Sequence, residues 1–464
     1  MEPTSKKLYL FLWGLGAFAS TVLAQTPGTF TATGNMTTAR VLHTATLLQD
    51  GRVLIAGGWD DGRGHEAASA ELYDPATGMF TPTGNMNTAR SGHSATLLPN
   101  GTVLIAGGNG ALASAELYDP STGTFAPTGI PHTNSYGLAT LLADGRVLIT
   151  AGNAELYDPS AGTFTPTGSL PAPLYGYTTA TLLPDGRVLI SGGTAALYDP
   201  RAGTFSSAQV PFLLSSAALL MNGKVLLAGG NDDPGESAAA EIYDPLAGTV
   251  TGIGTMTVAR ADDPATLLPD GTVLIAGSNG DGGLTLASAE LYDPASGTFR
   301  RTGDMTADRG LHTATLLNNG TVLIAGGLHR VAGNGWPPLA SAEVYTPVLV
   351  IPAPGLLSLS GDGVGQGAIQ HAGTYRIASP EDPAGAGEYL SIYLTGLADA
   401  SVIPPQVAIG GRLAEITFFG NVPGYPGLNV INVRMPSGVA PGSAVPVRLT
   451  YIGRPSTAVT IGVQ

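Results

Sequence analysis

The segments A-T-L-L-Q-D-G-R-V-L-I-A-G-G (residues 45–58) and A-E-L-Y-D-P-A-T-G-M-F (residues 70–80) occur in the same order throughout most of this 464-residue chain. The pattern returns about every 45 residues, which is the spacing of β-propeller blades. The strand-three tyrosines of the seven repeats are Tyr73, Tyr118, Tyr157, Tyr198, Tyr243, Tyr292 and Tyr345. The repetition therefore predicts a propeller with seven blades.

Each repeat predicts four short strands: A-T-L-L, V-L-I-A-G-G, A-E-L-Y and G-T-F. An Asp-Gly or Asn-Gly pair separates strands one and two, which predicts a type I′ hairpin with positive φ at both central residues. The pairs are Asp50-Gly51, Asn100-Gly101, Asp144-Gly145, Asp185-Gly186, Asn222-Gly223, Asp270-Gly271 and Asn319-Gly320. Asp-Pro then ends strand three, because proline cannot donate to a continuing ladder.

The two ends of the repeat region complement each other. The last repeat stops after Tyr345 without a G-T-F strand, and residues 28–30 near the start read G-T-F before any complete repeat. We predict that the early segment completes the last blade, which closes the ring and leaves no open sheet edge.

Composition agrees with an all-β chain. Gly (66 residues) and Pro (35) are abundant while 43% of residues are hydrophobic, a combination that favours many short strands over disorder. The formal net charge is −14, so an acidic surface repels phosphate backbones and we expect no nucleic-acid partner.

The first 24 residues have the features of a secretory signal peptide. Lys6 and Lys7 precede an apolar run over 8–18, and Val22 and Ala24 place small residues before a cleavage site. An uncleaved membrane anchor is the alternative. We predict a signal peptide over 1–24, no membrane span after its cleavage, and a secreted or cell-surface protein.

We divide the rest of the chain into a propeller (25–347), a proline-rich linker (348–354) and a small β domain (355–464). In the last part, strand-like runs over 389–394, 407–409, 430–433 and 445–451 alternate with Pro, Gly and Asn, as in a small sandwich. The predicted fold is thus all-β, a seven-bladed β-propeller followed by an immunoglobulin-like β-sandwich.

Two family resemblances accompany these patterns. The Gly-Gly pair of strand two, the tyrosine of strand three, the aromatic of strand four and the Arg-x-x-His motif resemble the Kelch repeat over 28–347. Phe replaces the usual Trp of strand four, and two Gly-Gly pairs become Ala151-Gly152 and Gly277-Ser278, departures that we assign to blade packing. The segments at 365–370, 392–397 and 427–436 resemble an uncharacterised C-terminal domain of secreted Acidobacteria proteins.

Because Kelch propellers include galactose oxidase, a copper radical enzyme, the resemblance requires that this chemistry be considered. Its radical site uses a tyrosine cross-linked to cysteine, together with further tyrosine and histidine ligands. This chain has no cysteine, so that cross-link cannot form. We exclude the copper radical oxidase, predict no catalytic residues and no cofactor, and regard an enzyme as the less favoured interpretation.

Seven residues recur at equivalent positions before strand one and form candidates for the mouth of the central channel. They are Arg40, His43, Arg90, His93, Arg260, Arg309 and His312. A structural role is favoured: hydrogen bonding by the histidines and inter-blade bonding to carbonyls by the arginines. A metal cluster and an anion site are the alternatives.

The loops between strands two and three are long in blades one, five, six and seven. Two tryptophans lie in these loops, among polar residues that suit stacking on a sugar or anchoring a protein. The candidate binding residues are Trp59, Asp60, Asp61, His65, His329, Arg330, Asn334 and Trp336. The alternative is that the rings only pack their own loops.

Three acidic stretches, 60–61, 232–233 and 279–281, carry oxygen ligands for Ca²⁺ but lack EF-hand spacing, so solvated turns are favoured over a calcium site. The leading hypothesis is a secreted binding or adhesion module that engages a glycan or protein through the propeller loops. A carbohydrate-active enzyme on the same face and a structural surface protein are the alternatives.

Overall fold

The computed structural model describes residues 28–60, 65–109, 112–132, 138–150, 153–172, 178–192, 195–210, 215–232, 235–278, 285–330, 335–398 and 401–464. Within these ranges every regular element is a β-strand. None of the described residues belongs to a helix that is long and apolar enough to cross a membrane.

Seven four-stranded antiparallel sheets form the blades of the propeller. The first element, β1 (Thr29–Ala32), belongs to the last blade. Blade 1 contains β2 (Thr44–Leu47), β3 (Val53–Ala56), β4 (Ala70–Asp74) and β5 (Met79–Pro82); blade 2 contains β6 (Ser94–Leu97), β7 (Val103–Ala106), β8 (Ala115–Asp119) and β9 (Thr124–Pro127). Blade 3 contains β10 (Leu138–Leu141), β11 (Val147–Thr150), β12 (Ala154–Asp158) and β13 (Thr163–Pro166); blade 4 contains β14 (Thr179–Leu182), β15 (Val188–Ser191), β16 (Ala196–Asp199) and β17 (Thr204–Ser207).

The remaining three blades follow the same order with one insertion. Blade 5 contains β18 (Ser216–Leu219), β19 (Val225–Ala228), the added hairpin β20 (Asn231–Asp232) and β21 (Gly235–Glu236), β22 (Ala239–Asp244) and β23 (Thr249–Thr255). Blade 6 contains β24 (Ala265–Leu267), β25 (Val273–Ala276), β26 (Ala289–Asp293) and β27 (Thr298–Arg301); blade 7 contains β28 (Thr313–Leu316), β29 (Val322–Ala325) and β30 (Ala342–Thr346). The seven-bladed prediction is confirmed.

The ring closes as the sequence predicts. Strand β1 pairs antiparallel with β30, with Thr29 opposite Thr346 and Phe30 opposite Tyr345. The two aromatic rings of the second pair lie 4.8 Å apart, the same separation as Tyr73 and Phe80 in blade 1. The first described strand is therefore the outer strand of blade 7.

The hydrophobic core lies between blades. Seven clusters each combine apolar residues of two consecutive blades, and the second strand of every blade is completely buried. Tyrosine hydroxyls of strand three add contacts to the preceding blade: Tyr118 bonds Thr83 at 2.9 Å and Tyr157 bonds Thr128 at 2.9 Å. Each blade is thus stable only beside its neighbours.

The turns between strands one and two differ from the predicted type I′ hairpin. Gly51 has φ 88°, but Asp50 is not at positive φ. The Gly51 N–H donates to Leu48 O, and the Leu48 N–H donates to Arg52 O, the pattern of a type I turn followed by a left-handed glycine. Asp50 Oδ1 accepts the Arg52 N–H at 3.0 Å, which explains why Asp or Asn precedes the glycine.

The last part of the chain forms two packed sheets. In chain order its strands are β31 (Gly355–Leu356), β32 (Gly365–Gln366), β33 (Ile369–His371), β34 (Tyr389–Thr395), β35 (Gln406–Ile409), β36 (Arg412–Leu413), β37 (Glu415–Asn421), β38 (Leu428–Arg434), β39 (Gly442–Tyr451), β40 (Arg454–Pro455) and β41 (Val459–Val463). One sheet has the order β31-β34-β38-β37 and the other β32-β41-β39-β35-β36. The two sheets share one hydrophobic core, which includes Ile392 of the first sheet and Val447 of the second.

The sandwich covers the propeller on the face of the Asp-Gly and Asn-Gly turns. The Val402 N–H donates to Met221 O, and Ile452, in the turn after β39, packs against the core between blades 6 and 7. A cavity of about 380 Å³ separates the first strands of blades 1, 2, 3 and 7 from sandwich residues that include Gln406 and Arg448. The opposite face, called the loop face below, carries the long connections.

Candidate functional site

Four segments on the loop face carry the recurrent arginines and lead into the first strands of blades 1, 2, 6 and 7. We call these segments the lead-ins; they are residues 40–43, 90–93, 260–263 and 309–312. Residue 42, 92, 262 or 311 has positive φ in each of them, between 53° and 65°. The lead-ins therefore share one backbone conformation, and their side chains can be compared position by position.

The lead-in arginines are fully buried and each forms an ion pair with a strand-three glutamate of its own blade. The pairs are Arg40–Glu71 (3.1 Å), Arg90–Glu116 (2.8 Å), Arg260–Glu290 (3.1 Å) and Arg309–Glu343 (2.9 Å). Arg40 Nη1 also donates to the carbonyls of Gly57 and Ser69. The guanidinium groups thus bond carbonyls within one blade, whereas we expected these bonds to cross between blades, and a carboxylate neutralises each charge.

The lead-in histidines bridge neighbouring blades. His43 Nε2 lies 3.1 Å from Thr313 Oγ1 of blade 7, and His93 Nε2 lies 3.0 Å from Thr44 Oγ1 of blade 1. Burial lowers the pKa of both imidazoles to about 3, and the charge of Arg40 or Arg90 acts in the same direction. The two rings are therefore neutral near pH 7. A Cβ added to Gly57 would lie 2.8 Å from His93 Cε1, so this packing requires glycine.

Blade 6 departs from this arrangement at three positions. Asp263 occupies the histidine position, Pro264 occupies the position of Thr44, and Ser278 replaces the second glycine of strand two. Because proline has no hydroxyl, His312 of blade 7 lacks the bond that His43 and His93 make, and neither of its ring nitrogens has a hydrogen-bond partner within the described residues. All three departures lie in blade 6, on the loop face of the ring.

Three carboxyl groups meet at this place: Glu236, Asp262 and Asp263, called the acidic cluster below. Ser278 Oγ donates to Glu236 Oε2 at 3.2 Å and accepts the Ala261 N–H at 3.1 Å. The side chain of Asp263 is 1% exposed and its Oδ1 lies 3.8 Å from His312 Nδ1. Within the described ranges neither oxygen of Asp263 has a hydrogen bond of normal geometry.

The two aspartates of the cluster resist ionisation. Burial, together with the negative charge of Glu236, raises the pKa of Asp262 to about 7. Burial also raises the pKa of Asp263 well above its usual range, while Arg260 acts in the opposite direction. Two adjacent carboxyls with raised pKa values on a propeller face are typical of a functional site, because a structural role rarely tolerates unpaired buried acids.

A second cluster surrounds the exposed tryptophan of blade 7. Trp336 is 46% exposed, and the guanidinium carbon of Arg330 lies 4.0 Å from its ring centroid. His329 Nδ1 lies 2.8 Å from Asp308, whose carboxylate also accepts a hydrogen bond from the Thr285 hydroxyl. We call Thr285, Asp308, His329, Arg330 and Trp336 the tryptophan cluster.

The two clusters adjoin through Ser278, Thr285 and Leu286, the described residues on either side of the connection between strands two and three of blade 6. The Leu286 N–H donates to Ser278 O, which holds the two ends of that loop together beside the acidic cluster. Thr285, the residue before Leu286, accepts the Arg330 N–H at 3.1 Å. Hydrogen bonds of the described residues therefore lead from Ser278, beside the acidic cluster, to Thr285 of the tryptophan cluster.

The predicted binding residues of blade 1 lie on the other side of blade 7. The backbone of Trp59 pairs with Val41 and Glu66, and its side chain is only partly exposed. Asp60 and His65 are exposed, and the Asp60 N–H donates to His65 O at 3.3 Å. Asp61 and Asn334 lie outside the described residues, as do Asp233 and residues 279–281 of the candidate calcium stretches.

Across the described part of the chain, no group of three His, Cys, Asp or Glu side chains has the geometry to hold a metal ion. The acidic cluster was not predicted from the sequence. The signal that could have found it is the loss of the Arg-x-x-His pattern after Arg260, at the same blade where Gly-Gly becomes Gly277-Ser278. Where a residue departs from the internal repeat, it does not make the contact that the repeated residue makes in the other blades.

No protein-family model matches this chain, and no curated protein matches it by sequence. Among solved structures, one described as a novel fungal alcohol oxidase with catalytic diversity among the AA5 family, in complex with copper, superposes with a TM-score of 0.60. The two chains are 18% identical, and the match covers 95% of this chain and 100% of the other. At this identity the likeness concerns the fold.

The described residues do not fit the copper site that this fold suggests. The chain lacks cysteine, and His43 and His93 are hydrogen-bonded to threonines of neighbouring blades. The described strand-three tyrosines lie in the blade cores, where Tyr73 bonds Thr33. Such propellers host unrelated functions, so the comparison supports the fold alone, and the loop-face clusters must carry any argument about function.

Proposed function

We propose that this chain is a secreted or cell-surface binding module that holds a glycan on the loop face of its propeller, at the tryptophan cluster. The observation that carries the proposal is the exposed ring of Trp336, held against Arg330 at 4.0 Å. The signal-like residues 1–24 support a location outside the cytoplasm.

The geometry of the tryptophan cluster suits a sugar ring. Because Arg330 covers one face of the indole, the exposed area lies on the other face and the edge, where the C–H groups of a sugar can stack. Asp308 and His329 lie next to this platform and offer an acceptor and a donor for hydroxyl groups. Carbohydrate sites combine these two elements, an apolar platform and a few fixed polar groups.

Intrinsic fluorescence of the full chain, titrated with neutral oligosaccharides, tests the proposal. We expect a saturable change in tryptophan emission that disappears in Trp336→Ala. Tyr425→Ala, which removes an exposed aromatic ring of the sandwich (51% exposed), is the matched control and should bind as the wild type does. Binding that persists in Trp336→Ala, or no binding across the panel, would contradict the proposal and favour a protein ligand.

A carbohydrate-active enzyme is the second candidate, and one observation favours it. Burial and the charge of Glu236 raise the pKa of Asp262 to about 7, so this partly exposed carboxyl exchanges its proton near neutral pH. Carboxyl groups of this kind serve general acid–base catalysis. Chromatography of the same oligosaccharides after incubation distinguishes the candidates: products that vanish in Asp262→Asn indicate an enzyme, and unchanged oligosaccharides indicate a binding module.

A further inference from the structure

The described basic groups around the two aspartates of the acidic cluster are already neutralised or uncharged. Arg260, on the same lead-in, pairs with Glu290, and Arg309, on the next lead-in, pairs with Glu343. Burial lowers the pKa of His312 to about 3, so this ring is neutral at the pH where the carboxyls ionise. The other groups nearby are the hydroxyls of Ser215, Ser216 and Ser278.

The cluster is also built at some cost to the fold. Asp262 Oδ1 and both oxygens of Asp263 are buried without hydrogen-bond partners within the described residues. A desolvated carboxyl without a partner is unfavourable until a cation approaches it.

We propose that the acidic cluster binds the ammonium group of an amino sugar, as one unit of the glycan that stacks on Trp336. The inference rests on the proposed glycan site, because the two clusters adjoin through the described residues Ser278, Thr285 and Leu286. Asp262 and Glu236 are partly exposed and contact the ammonium, and Asp262 releases its proton when the ammonium binds, while the buried Asp263 lies behind them.

An ammonium group suits the cluster better than a metal ion does. No described trio of side chains has metal-binding geometry, whereas an organic cation accepts longer and less regular contacts to carboxylates. The strongly acidic chain also attracts cationic polymers by long-range electrostatics. A neutral sugar would leave the desolvated carboxyl groups without an ionic partner, so the amine is the feature that the site selects.

Calorimetry with the full chain and two probes tests the inference: an oligomer of glucosamine and the corresponding oligomer of N-acetylglucosamine. We expect the glucosamine oligomer to bind about tenfold more tightly, as for a charge pair at a partly buried site. Asp262→Asn should abolish this preference without changing the affinity for the acetylated oligomer. Asp119→Asn, which removes a carboxylate from the opposite face, should keep the preference.

Proton release gives a second readout that a purely structural role would not produce. Near pH 6, about one unit below the pKa of Asp262, a bound ammonium should displace about one proton from the wild type. Repeating the calorimetry in buffers with different ionisation enthalpies measures this number. Asp262→Asn should release none.

Several outcomes would overturn the ammonium site. These are equal affinity for the two oligomers, a preference that survives Asp262→Asn, no binding of either oligomer, and tighter binding of oligolysine than of the glucosamine oligomer. If the acetylated oligomer binds through Trp336 and only the preference is missing, the proposed glycan function stands and the ammonium site fails. If neither oligomer binds, the ammonium site fails and the neutral panel alone decides the glycan function.

Discussion

The lead-ins of blades 1 and 6 have the same backbone and the same buried arginine, yet they differ at the residue three positions after that arginine. In blade 1, His43 bonds Thr313 of the neighbouring blade and contributes to the closure of the ring. In blade 6, Asp263 occupies that position, faces His312 at 3.8 Å, and makes no comparable bond within the described residues. The repeated histidines His43 and His93 bond neighbouring blades, whereas the side chain of Asp263, which breaks the repeat, does not do so within the described residues.

The buried arginine that the lead-ins share should give the largest effect on the free energy of unfolding when it is substituted. Arg90→Ala leaves Glu116 buried and unpaired, so we expect the free energy of unfolding to fall by about 3–5 kcal/mol. Urea denaturation measures the change. Arg146→Ala breaks an exposed pair with Asp144 and should cost less than about 1 kcal/mol. Similar losses in the two variants would show that the lead-in arginines are not structural.

The pH dependence of stability tests the raised pKa of Asp262 in the blade 6 lead-in. Asp262 has a folded pKa of about 7 against an ordinary pKa of 3.8, so the folded state holds its proton more tightly than the unfolded state. Stability is therefore highest below pH 3.8 with respect to this group and is lost as pH rises towards 7. Asp262→Asn should remove this loss, about 1–3 kcal/mol near neutral pH, measured by thermal unfolding at several pH values. An unchanged pH profile would contradict the raised pKa.

Restoring the repeat should stabilise the protein. In Asp263→His, the new imidazole lies opposite Ser216, which occupies in blade 5 the position of Thr44 in blade 1. We expect a gain of about 0.5–2 kcal/mol, as for other consensus substitutions, together with loss of amino-sugar binding. The reverse change, His93→Asp, should destabilise. A destabilised Asp263→His would mean that aspartate has its own structural role in blade 6.

The smallest effect concerns the hydroxyl bonds between blades. Tyr118→Phe removes the 2.9 Å bond to Thr83 and should cost about 0.5–1.5 kcal/mol. In blade 4, Ala208 occupies the threonine position and has no hydroxyl, so Tyr243 of blade 5 lacks this bond and Tyr243→Phe should be nearly neutral. Differential scanning calorimetry of the two variants measures the difference. Equal shifts in Tm would show that the Tyr118–Thr83 hydrogen bond does not account for the loss of stability.

The repeat predicted the scaffold because every blade uses the same residues for the same contacts. The seven Asp-Gly and Asn-Gly positions located the turns, although the turn type differs: the aspartate or asparagine side chain caps the turn instead of adopting positive φ. Four strands of the sandwich, β34, β35, β38 and β39, were also predicted within a few residues. The short strands β31, β32, β36 and β40 were missed because two residues carry no periodicity.

The candidate site was less accessible to sequence reasoning. Tryptophan is rare and conspicuous in this chain, so Trp336 was found from composition alone. The acidic cluster combines Glu236 of blade 5 with two aspartates and a serine of blade 6, and only the ring brings them together. Burial of Asp263 and the raised pKa values result from the surrounding blades, which the local sequence does not specify.

The pairing of β1 with β30 has a consequence for how the molecule comes to exist. The partners Phe30 and Tyr345 lie at opposite ends of the propeller sequence, so the nascent chain carries an unpaired outer strand until blade 7 has been synthesised. Contacts this distant fold slowly, since a long loop must close before they form. Once the contacts between β1 and β30 have formed, we expect them to be lost together, because detachment of β1 opens the ring of blades. The kinetic stability of the folded protein therefore depends on the rate at which strand β1 separates from strand β30.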